Sequence, residues 1–125
     1  MRLLLDTNVL LWWLDDAPRL AGEARERIAD PRTIVYASAV TAWEITIKRA
    51  LGKLEIPEGW SEVVMAEPIR RLFVTWEHTL EVGSLPDLHS DPFDRLLVAQ
   101  ARVEEMTLVT GDDIVTRYDV KTLKV

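Results

Sequence analysis

The chain has no cysteine. That excludes disulfides and thiolate metal sites and fits a reducing cytosol. Long apolar runs are missing as well: Leu10–Leu14 is far too short to span a bilayer. The first residues lack the basic start, apolar stretch and small-residue cleavage site of a secretion signal, so the expectation is a soluble cytoplasmic protein. Basic residues are in deficit, 15 Lys and Arg against 21 Asp and Glu, for a net charge of −6. This argues against nucleic-acid binding through a broad basic face, where affinity comes from phosphate neutralisation. It leaves room for an enzyme that reaches phosphate through a metal ion, and it favours a basic protein partner. There is no repeat, low-complexity tract or linker. The 125 residues, 48% of them hydrophobic, fit one domain, 1–125, with one core.

What is present begins with Arg2–Asn8, RLLLDTN. A short continuous apolar run predicts a strand buried on both faces, as in a parallel sheet. Asp6 then stands at the strand's carboxyl end, where ligands collect in open α/β sheets. Further strands are predicted at Thr33–Tyr36, Leu72–Thr75, Thr107–Thr110 and Thr122–Lys124. Helices are expected over Val9–Leu14, capped by Thr7 or Asn8, and over Ala21–Ala29. A third runs from Ser38 to about Leu51 with Gly52 as its stop, and a fourth covers Trp60–Ala66. Helical turns follow over Glu77–Gly83. Asp91-Pro92, an N-cap acid followed by proline at the first helical position, opens a helix to about Met106. Strands alternating with helices predict a three-layer α/β/α sandwich with a mainly parallel sheet.

Four carboxylates reach the same sheet edge in this layout: Asp6, Glu44, Asp94 and Asp112. Each has a plainer reading. Asp6 suits a turn that caps a helix. Asp94 sits in a first helical turn, where the dipole favours an acid. Glu44 has Lys48 four residues on, and Asp112 or Asp113 caps the last short helix. The conjunction is more specific. Acids gathered without a cluster of lysines repel one another, and their pKa values split and rise without a cation. Hard oxygen ligands select Mg²⁺ or Mn²⁺, and such a site activates water and stabilises a leaving oxygen on a phosphodiester. Thr7 and Thr110 place hydroxyls beside Asp6 and Asp112, to orient carboxylates or to pack as β-branched residues.

LLLDTN, SAVTAWEITIK, DPFDRLLVAQA and LVTGDD, in this order and spacing, resemble the PIN-domain family, with the nearest likeness to VapC-type toxins of bacterial toxin–antitoxin modules. The resemblance covers essentially the whole chain. It implies an α/β/α ribonuclease dependent on Mg²⁺ or Mn²⁺, cutting RNA with activated water to leave a 5′-phosphate and a 3′-hydroxyl. It makes Asp6, Glu44, Asp94 and Asp112 the four metal-binding acids, Asp91 a structural acid, and Asp113 a contact to a second metal through water. It also implies a homodimer and an antitoxin whose basic C-terminal segment blocks the acidic pocket.

Lys48 and Arg95 are candidates for a phosphate contact or for charge balance beside the acids. Lys48, Arg49 and Lys53 form either an RNA approach or a solvated helix end. His89, which precedes Asp91, reads either as a residue at the pocket mouth or, by preference, as a surface loop histidine. Trp43 reads as core, with Trp12 and Trp13 as an interface surface. The rival functions are a receiver-like Mg²⁺-binding signalling domain and a catalytically silent PIN scaffold. A receiver needs paired acids after the first strand and an acceptor acid after a middle one. Asp6 is followed by Thr7-Asn8, and no acid ends TIVY.

Overall fold

The computed structural model describes all 125 residues, Met1–Val125. Five parallel strands form one sheet: β1 (Arg2–Leu5), β2 (Ile34–Ser38), β3 (Ile69–Leu72), β4 (Thr107–Thr110) and β5 (Thr122–Lys124). Their order is β3-β2-β1-β4-β5. Six helices join them: α1 (Thr7–Leu14), α2 (Gly22–Ala29), α3 (Ala39–Ala50), α4 (Trp60–Ala66), α5 (Trp76–Val82) and α6 (Pro92–Glu104). A 3₁₀ turn, Val115–Arg117, precedes β5. No helix is long and apolar enough to cross a membrane.

The leucine run explains the layers. Leu3, Leu4 and Leu5 are all fully buried, and successive side chains of a strand point to opposite faces. Leu3 and Leu5 pack with Val9, Leu10, Ala24, Ile28 and Val64, from α1, α2 and α4. Leu4 packs on the other face with Val40, Leu97, Val98 and Ala101, from α3 and α6. Helices therefore cover both faces of the central strand, and the architecture is a three-layer α/β/α sandwich.

The chain passes from β1 outward through β2 to β3, then crosses back to lay β4 on the other side of β1. The order reverses between β1 and β4, so a crevice opens at their carboxyl ends. Gly111 follows β4 there. A side chain at this position would meet the Trp12 ring at 3.0 Å, so glycine lets α1 close over the turn that leads to Asp112.

Boundaries differ from expectation at several elements: β2 runs to Ser38 rather than Tyr36, and three others have a plain cause. The third strand is Ile69–Leu72 rather than Leu72–Thr75. It is an edge strand paired only with β2, so arginines occupy it without cost to the core. The more β-prone Phe73 and Val74 lie exposed beyond its end, and Thr75 caps α5. Helix α1 starts at Thr7 because Asp6 itself is the N-cap, accepting the Val9 N–H on Oδ1 at 2.8 Å. Helix α6 ends at Glu104, not Met106. Glu105 adopts the left-handed conformation at φ 55° without the glycine that usually marks this stop.

Candidate functional site

Each of the four acids is delivered by a different element. Asp6 follows β1, Asp112 follows β4, Glu44 lies on α3 and Asp94 in the first turn of α6. They share one electrostatic neighbourhood. Burial raises the Asp6 carboxyl above its usual value, against the Thr110 hydroxyl and the Val9 N–H, which lower it; the negative charges of Glu44 and Asp112 raise it further. Burial is also the largest cause at Asp94. With the charges of Asp91, Asp6 and Glu44, it pushes this carboxyl up to about 7 in spite of His89.

Two threonines tie the acids to the scaffold. Thr7 Oγ1 donates to Glu44 Oε1 at 2.6 Å and lies 3.1 Å from Thr41 Oγ1. The Thr110 hydroxyl lies near enough to lower the Asp6 carboxyl and accepts the Asp112 N–H at 3.0 Å. On α3, Lys48 Nζ donates to Glu44 Oε2 at 2.5 Å, and this hydrogen bond is the main reason its pKa is raised. The helices are locked as well. Ser38 accepts the Val40 N–H at the start of α3 and donates to buried Gln100 Oε1 of α6 at 2.5 Å. That bond fixes the helix of Glu44 against the helix of Asp94.

Other predicted residues fall outside the cluster or take other tasks. Asp113 points to solvent, its side chain 91% exposed, with Lys124 at 3.3 Å. Asp91 caps α6 through the Phe93 and Asp94 N–H groups at 2.8 and 3.2 Å. The Arg95 guanidinium turns away from the acids. It donates to Pro86 O, the Tyr118 hydroxyl and Val82 O at 2.9, 3.2 and 3.4 Å, which makes it a clamp on the loop before α6. Trp43 is not core: it is 56% exposed and meets Phe93 edge-on at 5.0 Å. Trp12 and Trp13 are half-buried against the core, and the Arg19 guanidinium covers the Trp12 ring at 4.3 Å.

His89 is not the surface loop histidine that the sequence favours but lies at the acids. Its side chain is only 15% exposed, and Nε2 lies 2.8 Å from Asp112 Oδ2 and 3.2 Å from Asp94 Oδ2. Ligand atoms of the three residues all lie within 4.8 Å of one another. Burial raises Asp112, but the His89 hydrogen bond and charge and the Ile114 and Val115 N–H groups outweigh it, and the carboxyl ends below its usual range. A signal for His89 was available. It stands two residues before the N-cap of α6 and so at the same helix end as Asp94.

The donor set suits a hard divalent cation. Asp94 and Asp112 stand at ligand spacing with His89, and Asp6 and Glu44 lie within range of their charge. The Thr7 hydroxyl holds Glu44, and an acid raised to about 7 marks a place where positive charge is favoured. An apolar groove of about 610 Å³ runs alongside between α3, α4 and β3. Leu10, Trp60, Val64, Met65 and Phe73 line it, and Thr41 connects it through Thr7 to Glu44.

Comparison with known proteins extends this picture. A profile of the PIN domain matches residues 3–121. Among curated protein sequences none matches. The fold is similar to that of VapBC2 from Rickettsia felis bound to a promoter DNA fragment, with TM-score 0.77 and 18% identity, covering 100% of this chain and 99% of that one. VapBC-1 from nontypeable Haemophilus influenzae is similar at TM-score 0.68 and 19% identity, over 99% and 98% of the two chains. A toxin–antitoxin complex from Klebsiella pneumoniae is similar at TM-score 0.59 and 19% identity, over 87% and 85%. The profile begins inside β1 and stops one residue before β5, so it takes in every strand end and helix that delivers an acid: the chain belongs to the PIN domain family.

Proposed function

We propose that this chain is a VapC-type toxin, an endoribonuclease that depends on Mg²⁺ or Mn²⁺ and is held silent by an antitoxin. The observation that supports the reading is that Asp6 feels the charge of Glu44 and Asp112, and Asp94 that of Asp6 and Glu44, while Asp94 and Asp112 lie at ligand spacing beside His89. These four residues would hold the cation. Its chemistry is to make water acidic enough to attack and to offset charge on the phosphate. The rest falls to the protein. Thr7 and Lys48 hold both oxygens of Glu44, and the Val9 N–H holds Asp6. Substrate is then presented to carboxylates already fixed in place. In the reaction water adds to phosphorus in line, the bond to the 3′ oxygen breaks, and that oxygen leaves with a proton. The products are a 5′-phosphate and a 3′-hydroxyl.

A partner fits the same edge. The net charge is −6, and the groove beside Thr41 is apolar. An antitoxin segment lying in that groove carries its basic side chain onto the carboxylates, as the likeness to a toxin–antitoxin complex suggests. Self-association as a homodimer belongs to the same reading, with apolar surface supplied by exposed Phe73, Trp76 and Leu80.

The test is cleavage of total cellular RNA by wild type and Asp6→Asn, with Mg²⁺ and with excess chelator, followed by mapping of the cut ends. The reading expects cutting by wild type with Mg²⁺ alone, leaving 5′-phosphates. Cyclic phosphate ends that persist in chelator contradict it.

A further inference from the structure

The loop Leu85–Ser90 carries His89 into the acids, and its hydrogen bonds fix which atom of the ring faces them. The Asp91 N–H donates to His89 Nδ1 at 3.1 Å. Nδ1 is therefore the acceptor nitrogen, and the ring proton sits on Nε2. That proton is donated to Asp112 Oδ2 at 2.8 Å, and Nε2 lies 3.2 Å from Asp94 Oδ2. An Nε2 that carries hydrogen has no lone pair for a cation. The ring is thus a donor to Asp112 packed beside Asp94, not a ligand next to them.

The loop itself is held on three sides. The His89 N–H donates to the Tyr118 hydroxyl at 2.9 Å, and Tyr118 is buried in the core beneath it. Arg95 donates to the same hydroxyl at 3.2 Å and to Pro86 O at 2.9 Å. So the residue next to Asp94 on α6 pins the loop, and the loop sets His89 Nε2 3.2 Å from Asp94 Oδ2. Arg95, Tyr118 and His89 form a closed brace around the two acids.

Resting on the reading of Asp6, Glu44, Asp94 and Asp112 as cation ligands, we infer that His89 is a positioning residue that holds Asp112 through its Nε2–H and, lodged against Asp94, sets the separation of the two acids. Asp94 starts a helix and Asp112 follows a strand, so the two come from separate elements. Without the bridge, two like charges at this spacing move apart. Outer partners of this kind typically change metal affinity by roughly 10–100-fold.

Mn²⁺ binding to the full chain, followed by calorimetry and by electron paramagnetic resonance, tests this without reference to turnover. Wild type, Asp6→Asn, His89→Ala, His89→Gln and Tyr118→Phe are compared, each checked for folding by its melting curve. The expected result is Mn²⁺ bound by wild type and lost in Asp6→Asn. His89→Ala binds at least about tenfold more weakly. His89→Gln, whose amide N–H reaches the place of Nε2–H, recovers most of the affinity. Tyr118→Phe, which leaves the ring in the core and releases the loop, falls between. Unchanged or tighter binding in His89→Ala, with Asp6→Asn still dead, overturns the positioning role alone. A strong coupling from a directly bound imidazole nitrogen in the wild-type spectrum does the same. No Mn²⁺ bound by wild type, or equal binding by Asp6→Asn, overturns both the cation site and the role of His89 in it.

Discussion

Thr7 and Glu44 meet through one hydrogen bond, Oγ1 to Oε1 at 2.6 Å, inside a buried pocket and across 37 positions of the chain. A buried carboxylate needs such a donor, because burial without one costs about 1–3 kcal/mol or more. Thr7→Val keeps the shape and removes the donor. The expected outcome is a loss of about 1–3 kcal/mol in urea unfolding and a fall in kcat, while Thr7→Ser restores both.

The raised carboxyl of Asp94 predicts how the metal-free protein responds to pH. Its value in the fold is about 7 against an ordinary 3.8, so the folded state binds the proton more tightly than the unfolded state. Its contribution to stability is full below the ordinary value and is lost as pH rises through about 7. Asp6 is shifted in the same direction. Asp112, shifted down, acts oppositely, but its loss falls at lower pH, below the ordinary carboxylate range. In chelator, the melting temperature of wild type should therefore fall between pH 5 and pH 8. Asp94→Asn should flatten that slope, and Mg²⁺ at pH 8 should raise wild type but not the variant.

Arg95 separates two roles by measurement. A phosphate contact predicts that Arg95→Ala raises KM and leaves the fold alone. The bonds to Pro86 O, Val82 O and the Tyr118 hydroxyl predict a different result. Stability should fall by roughly 1–3 kcal/mol, and the loop 85–90 should become open to proteolysis. KM should change little beside kcat.

Much of this was legible from local pattern. The leucine run announced a strand buried on both faces, since only that environment asks for apolar residues at every position. Asp91-Pro92 announced α6, because proline at the first helical position needs no N–H partner. Where packing set the boundary instead, pattern misled. Strand β3 lies at the sheet edge, so IRRL forms it while the more β-prone LFVT runs past its end. Trp43 looked like core beside a buried glutamate, yet it sits on the outer face of α3 against Phe93. Asp6 and Asp112 could be set at strand ends and Asp94 at a helix start because local pattern marks those boundaries. The contact of His89 with Asp112 could not be read, because a loop residue has no periodicity and Asp112 stands 23 positions on, after β4.

The central claim is a single cation cage formed by distant stretches, and a crystal soaked in Mn²⁺ tests it most directly. An anomalous difference map should show density bounded by carboxylate oxygens of Asp6 and Asp94, with Asp112 or Glu44 completing the set. Density elsewhere, or none at saturating Mn²⁺, would contradict the account.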